Sequence, residues 1–186
     1  MVRFLCSMVI IFFVISCGSI STVKKIEKKI FPEDYVGTYE GSLYILQSMD
    51  TVNVLSMGLE IAKTESQEEY DWRITYGSDG DYDVRAYLLR KASSRPGHYH
   101  IDELNGIVLE AEFDGYALVS LYSVMDNLIS VTYRFDQKSI LFDIAVSRPE
   151  PSNSTGDLIF EGDTIPSVDI YPIVLTQNAE LRRLKD

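Results

Sequence analysis

The stretch IVLEAEFDGYALVSLYSV, residues 107–124, decides the fold of this chain. Over residues 107–113 the odd positions are apolar and the even positions are largely polar, and a second alternating run follows over 116–124. A period of two is the period of a β-strand, whose successive side chains point to opposite faces. Asp114-Gly115 lies between the two runs, and Asp-Gly in that position is a strong hairpin signal. The stretch therefore predicts two antiparallel strands joined by a tight turn.

The same period continues on both sides of this hairpin. Further alternating runs occupy residues 55–61, 72–76, 129–135 and 140–146. Turn sequences separate the runs, at Asp79-Gly80, Asn105-Gly106, Asp126-Asn127 and Asp136-Gln137. Evenly spaced short strands joined by hairpins predict an all-β protein, an antiparallel meander of about nine or ten strands closed into a barrel or sandwich.

The predicted strands cover most of the chain after residue 35. They lie near residues 36–48, 52–64, 69–77, 82–91, 97–102, 106–113, 116–124, 128–135, 139–147 and 169–183. Residues 149–166 are rich in Pro, Ser and Asn and predict a long loop with a short edge strand at 158–161. The predicted helix is a single short N-terminal one, over residues 21–30, which ends before Pro32.

The first residues have the pattern of a secretory leader. Arg3 gives a positive start, and residues 4–15 form an apolar run that is too short to span a membrane. Val14-Ile15-Ser16-Cys17 resembles the lipobox of bacterial lipoproteins, in which cleavage precedes the cysteine and the cysteine carries lipid such as palmitate. The resemblance implies a protein anchored through Cys17 in the bacterial cell envelope, at the outer membrane. An ordinary signal peptide with a chance Cys17, or an uncleaved anchor, is the alternative.

The chain divides into three parts: a leader over residues 1–16, a lipidated Cys17 with a basic tether over 17–34, and a β-barrel domain over 35–186. The four lysines of the tether either attract anionic lipid headgroups or belong to a solvated spacer. Both cysteines, Cys6 and Cys17, precede the barrel domain, which therefore has no thiol for a disulfide, a zinc cluster or a nucleophile.

The acidic charge balance of the chain indicates which classes of partner it can bind. The chain has 28 Asp and Glu residues against 17 Lys and Arg residues, a formal net charge of −11. Nucleic-acid binding requires a basic face to contact phosphates, so we expect no nucleic-acid partner. The expected partners are the membrane, through Cys17, and a small apolar ligand.

Residues 31–41, FPEDYVGTYEG, resemble the opening of lipocalin-type (calycin) barrels. In those proteins a short turn or helix closes one end of the barrel and leads into a Gly-x-Trp motif on the first strand. Gly37-Thr38-Tyr39 occupies that place here, with Tyr39 instead of Trp. The segment is also similar to the start of the barrel domain in copper-responsive envelope-stress lipoproteins. The Cys-x-x-Cys of that family is absent from this chain, so its metal or redox role is not carried over.

The predicted inward faces are rich in aromatic residues. A barrel of this size can enclose one small molecule. We therefore predict a non-catalytic, membrane-anchored binding protein for a small apolar or amphipathic ligand. The alternative is a structural or protein-interaction lipoprotein whose aromatic rings fill the barrel. The candidate cavity-lining residues are Tyr39, Trp72, Tyr76, Phe113, Tyr133, Phe135 and Phe142.

The two histidines, His98 and His100, share one face of a predicted strand with Asp102. This spacing can present two imidazoles and a carboxylate to a metal. We interpret the face as outer surface, because Tyr99 and Ile101 between them are the better core residues. We therefore predict no metal and no cofactor. The sequence also has no Gly-x-Ser-x-Gly elbow, phosphate loop or His-Glu-x-x-His motif, and we predict no enzymatic activity.

Overall fold

The computed structural model describes residues 29–48, 50–78, 80–92 and 95–185. The predicted leader, the lipidation site Cys17 and all of the predicted helix before residue 29 lie outside the described residues. Within the described part of the chain, no helix is long and apolar enough to cross a membrane.

Ten antiparallel strands close into a barrel. They are β1 (Gly37–Gln47), β2 (Asp50–Lys63), β3 (Glu69–Ser78), β4 (Asp81–Lys91), β5 (His98–Asp102), β6 (Val108–Phe113), β7 (Ala117–Val124), β8 (Asn127–Phe135), β9 (Ser139–Ser147) and β14 (Ile173–Arg183). Strands β1 to β9 pair in chain order, and β14 closes the barrel between β9 and β1. The predicted all-β meander is confirmed, and the period-two runs coincide with its strands.

The segment between β9 and β14 differs from the prediction of a long loop with one edge strand. Four short strands form a hairpin arm there: β10 (Asn153–Thr155) pairs with β13 (Val168–Ile170), and β11 (Leu158–Phe160) pairs with β12 (Asp163–Ile165). Each strand is three residues long, too short for its alternation to be recognised.

The hairpin turn that decides the fold is built as its sequence requires. Gly115 has φ +105°, a conformation that glycine adopts without strain. The Asp114 carboxylate accepts hydrogen bonds from the backbone N–H groups of Tyr116 and Ala117, both at 2.8 Å. These bonds favour the charged form and lower the pKa of Asp114.

One end of the barrel is closed by the segment before β1. The Phe31 ring stacks on Phe113 with 4.3 Å between centroids and meets Phe135 at 4.9 Å. The Tyr99 hydroxyl donates a hydrogen bond to the backbone carbonyl of Phe31 at 3.1 Å. A 3-10 turn, Glu33–Tyr35, then leads into β1. We call this half of the barrel the closed half.

An ion pair ties this segment to the barrel wall. Lys91 on β4 donates a hydrogen bond to the Glu33 carboxylate at 2.8 Å, and the two side chains are 31% and 30% exposed. Burial raises the pKa of Glu33, but hydrogen bonds, that from Lys91 foremost, outweigh it and the net pKa is lowered. A carboxylate whose pKa is lower in the folded state than in the unfolded state stabilises the fold at pH values above the unfolded-state pKa. This contribution to stability is lost as the pH falls through the folded-state pKa.

We therefore expect Glu33→Gln to reduce the free energy of unfolding by about 1 kcal/mol at neutral pH. The difference from the unsubstituted protein should shrink when urea unfolding is repeated in acid, where Glu33 is protonated. Glu40→Gln, at an exposed position on β1, is the control and should have little effect at either pH. A Glu33→Gln effect that is independent of pH would contradict this role of the ion pair.

Candidate functional site

The half of the barrel opposite the closed half contains open space. A mouth cavity of about 500 Å³ opens at this end, lined by residues that include Leu43, Leu55 and Gln177. Below it lies a smaller inner cavity of about 120 Å³. Both cavities are lined by Tyr76, Arg85 and Ile144, so they adjoin one another. We call this half of the barrel the open half.

The inner cavity has an apolar base and polar walls. Trp72 and Phe142 are completely or almost completely buried, at 0% and 1% exposure, and supply the apolar surface. Tyrosine hydroxyls, one serine, one carboxylate and one guanidinium supply the polar groups. The polar lining residues are Tyr76, Arg85, Tyr87, Glu103, Ser120, Tyr122 and Tyr133. Polar and apolar residues line the inner cavity in equal numbers, and convergent polar groups beside an apolar surface can fix the orientation of a small molecule.

Four of the seven residues predicted to line a cavity line the inner cavity. They are Trp72, Tyr76, Tyr133 and Phe142. The other three point inward but lie in the closed half. Tyr39 is buried and its hydroxyl donates to the backbone carbonyl of Tyr35 at 2.8 Å. Phe113 and Phe135 pack around Phe31. The alternation in sequence predicts the face on which a side chain lies, but it does not predict the half of the barrel.

Strand β4 contributes residues that the sequence analysis missed. The antiparallel register pairs Ile74 with Arg85 and Trp72 with Tyr87, which places Arg85 and Tyr87 on the inward face. The sequence of β4 is DYDVRAYLLRK, in which the inward positions 81, 83 and 85 are charged and the outward positions 82, 84 and 86 are largely apolar, so its polarity pattern suggests the opposite face. The one sequence signal is the apolar Leu89, which the structure buries, and a period of two leads back from it to Tyr87 and Arg85.

Arg85 lies at the boundary between the two cavities. Its Nε donates a hydrogen bond to the Asp83 carboxylate at 3.0 Å, and its guanidinium lies 5.4 Å from the centroid of the Tyr76 ring. Burial raises the pKa of Tyr76 to about 12, against the opposing effect of Arg85. The Tyr76 hydroxyl is therefore protonated at neutral pH and can donate a hydrogen bond.

The other phenols are also neutral hydrogen-bond donors. Burial raises the pKa of Tyr133 well above its usual value, and the nearby Trp72 N–H offsets this shift only in part. Burial and the Glu103 carboxylate raise the pKa of Tyr87 and Tyr122. The cavity therefore offers uncharged donors along its wall, beside the Glu103 carboxylate and the Arg85 guanidinium.

The indole N–H of Trp72 lies near Tyr133 but is not engaged in a well-formed hydrogen bond within the described part of the chain. Its Nε1 is buried and makes no hydrogen bond of normal geometry to any described residue. The ring meets Tyr133 edge-on, with 5.1 Å between centroids. A buried N–H without an acceptor is costly, so a ligand or water that accepted this hydrogen bond would be stabilised.

The barrel wall has its shortest run of strand pairing, between β6 and β7, beside the inner cavity. Strands β6 and β7 are paired at Glu112–Val119 and Phe113–Leu118, near the closed half, and not farther along. Leu109 on β6 and Ser120 on β7 both line the cavity beyond the paired segment. The inner cavity therefore adjoins a wall that fewer backbone hydrogen bonds hold together.

The histidines lie on the outer wall, as predicted. Tyr99 and Ile101 are buried, while His98 and His100 face away from the core. Asp102, which we had grouped with the histidines, instead forms an ion pair with Arg90.

Comparisons with known proteins bear on the fold. No family model matches this chain, and no curated protein is significantly similar to it in sequence. Among solved structures, the S-type phycobiliprotein lyase CPES from Guillardia theta is similar, with a TM-score of 0.54 and 9% sequence identity. The match covers 83% of this chain and 90% of that one. The fold is lipocalin-like.

The resemblance of residues 31–41 to calycin barrels is thereby confirmed at the level of fold. Because the two sequences are only 9% identical, this similarity bears on the fold alone. The similar protein is named a lyase, so the comparison does not support our expectation of a protein without catalytic activity. Lipoprotein status and the similarity to the copper-responsive family are not shown and stay predictions.

Proposed function

We propose that this protein is a lipid-anchored, lipocalin-like binding protein that takes up one small amphipathic molecule through its open half. The observation that carries the proposal is the inner cavity, in which Trp72 and Phe142 form an apolar base beneath a ring of neutral phenols. Such a site suits a ligand with a flat apolar body and a few hydrogen-bonding atoms.

Cavity size indicates how the ligand would lie. Sites for drug-sized molecules are typically about 300–1,000 Å³, whereas the inner cavity is about 120 Å³. The ligand would therefore place only its apolar end against Trp72 and extend past Tyr76 and Arg85 into the mouth cavity of about 500 Å³. Tyrosine hydroxyls and the Trp72 N–H would bind its polar atoms.

The alternative of a filled barrel describes the closed half only. There the rings of Phe31, Phe113 and Phe135 are packed together, with 6.1 Å or less between centroids. The open half combines space with the buried Trp72 N–H, which makes no hydrogen bond of normal geometry to a described residue, and this supports a ligand site there.

The chain carries its own reporter for this proposal, because Trp72 is its single tryptophan and lines the inner cavity. N-phenyl-1-naphthylamine is a neutral, flat, apolar dye with one N–H group that accepts excitation energy from tryptophan. We expect saturable energy transfer from Trp72 at one dye per chain. Dye binding without energy transfer, or no saturable binding, would contradict a site in the open half.

The anchor is the second component of the proposal. We expect Cys17→Ser to move the protein from the membrane fraction to the soluble fraction or to stop its processing, because the variant has no thiol at the lipidation site. Cell fractionation measures the location of the protein, and mass spectrometry measures its processing. Cys6→Ser, within the leader, is the matched control and should leave the mass of the mature protein unchanged. Membrane association and mass that do not change in Cys17→Ser would rule out the lipoprotein assignment.

A further inference from the structure

The two histidines of the chain lie together on the outer wall of the barrel. His98 and His100 are separated by one residue on β5, so both side chains leave the same face of the strand. Their rings are 5.3 Å apart between centroids. The His98 side chain is only 14% exposed, so it is largely shielded from water.

The neighbouring strand completes the group. Glu110 on β6 lies directly opposite His100 in the antiparallel register. Its carboxylate Oε2 is 3.9 Å from His98 Nε2. One ligand atom from each of the three side chains lies within 4.8 Å of the other two. The same-strand pair His98 and His100 and the cross-strand pair His100 and Glu110 thus place two nitrogens and one oxygen around one point.

The other carboxylates nearby are already engaged. Asp102 pairs with Arg90, and Glu112, opposite His98, binds Arg95 at 2.7 Å. The Glu110 side chain is 80% exposed and has no Arg or Lys partner among the described residues. Glu110 is therefore the carboxylate that remains available to a cation between the two imidazoles.

We propose that His98, His100 and Glu110 form a zinc site that links β5 to β6. Two imidazole nitrogens and one carboxylate oxygen are a ligand set that zinc accepts, with a fourth position left for water or an external group. Zinc–ligand bonds of about 2.0–2.2 Å require the ligand atoms to approach to about 3.5 Å of each other. Rotation of the three side chains would supply that closure.

The test is titration of the full-length protein with Zn²⁺ alone, followed by competition with a chromogenic chelator and by thermal unfolding. We expect one zinc ion per chain and a melting temperature that rises with zinc, because the ion binds the folded state. His98→Gln and His100→Gln should each weaken zinc binding at least tenfold and abolish the thermal shift. Circular dichroism without zinc checks that each variant retains the β fold.

The carboxylates provide a matched pair of variants on one strand. Glu110→Gln should weaken zinc binding at least tenfold, whereas Glu112→Gln should change it less than twofold. Co²⁺ in place of Zn²⁺ should give the visible absorption bands of a four-coordinate site in the unsubstituted protein and lose them in Glu110→Gln. Absence of saturable binding, binding that survives His100→Gln, or equal losses in Glu110→Gln and Glu112→Gln would overturn the assignment.

Discussion

Replacing Ser120 by leucine is expected to weaken binding of N-phenyl-1-naphthylamine at least about tenfold, roughly 1.4 kcal/mol. Ser120 is 5% exposed and lines the inner cavity from β7. A larger, branched side chain there would occupy the space beside Trp72 in which the apolar end of the ligand is proposed to lie. Because the cavity offers room for it, the substitution should leave the fold intact.

Ser123→Leu is the matched control. Ser123 lies on the same strand but is exposed, so the same change there leaves the cavity as it is. We expect Ser123→Leu to bind the dye as the unsubstituted protein does. Equal affinities in the Ser120→Leu and Ser123→Leu variants, both with unchanged circular dichroism, would show that the dye binds elsewhere.

Gly41→Ala is expected to be the most destabilising single change, reducing the free energy of unfolding by about 3 kcal/mol or more. Gly41 lies on β1, where β1 and β14 close the barrel. A Cβ at this position would lie 2.1 Å from the backbone carbonyl oxygen of Glu180 on β14. Since a backbone atom cannot rotate away, the two strands would have to separate at the closure.

Gly58→Ala on the adjacent strand β2 separates this steric effect from the general cost of replacing a glycine. A Cβ at Gly58 would meet Thr75 Cβ at 3.7 Å and the Tyr39 carbonyl oxygen at 3.8 Å, both ordinary contacts. Urea unfolding should therefore show little destabilisation for Gly58→Ala. If the two variants unfolded at the same urea concentration, the close approach at Gly41 would not govern barrel closure.

Local sequence predicted most of the fold because each strand carries its own period. The run over residues 107–113 and the turn at Asp114-Gly115 need no distant partner to be recognised. The closing segment at Phe31 was also recognisable, through its resemblance to calycin barrels. Barrel closure could not be predicted from local sequence, because the close approach of Gly41 to Glu180 joins residues that are far apart in the chain.

The sites were harder to predict because they depend on register. Period two correctly placed Tyr39 and Trp72 inward, yet only Trp72 reaches the inner cavity. For the histidines, same-strand spacing suggested Asp102, whereas cross-strand pairing brings Glu110 to His100. Sequence spacing describes one strand, and both proposed sites draw on more than one strand.

Native mass spectrometry of the full-length protein, purified from the cells that make it, tests ligand binding most directly. The unsubstituted protein should carry one additional mass per chain, from a small amphipathic molecule. That mass should be absent from Ser120→Leu and present in Ser123→Leu prepared in the same way. If the unsubstituted protein carries no such molecule, or if Ser120→Leu retains it, the barrel does not bind its ligand in the open half.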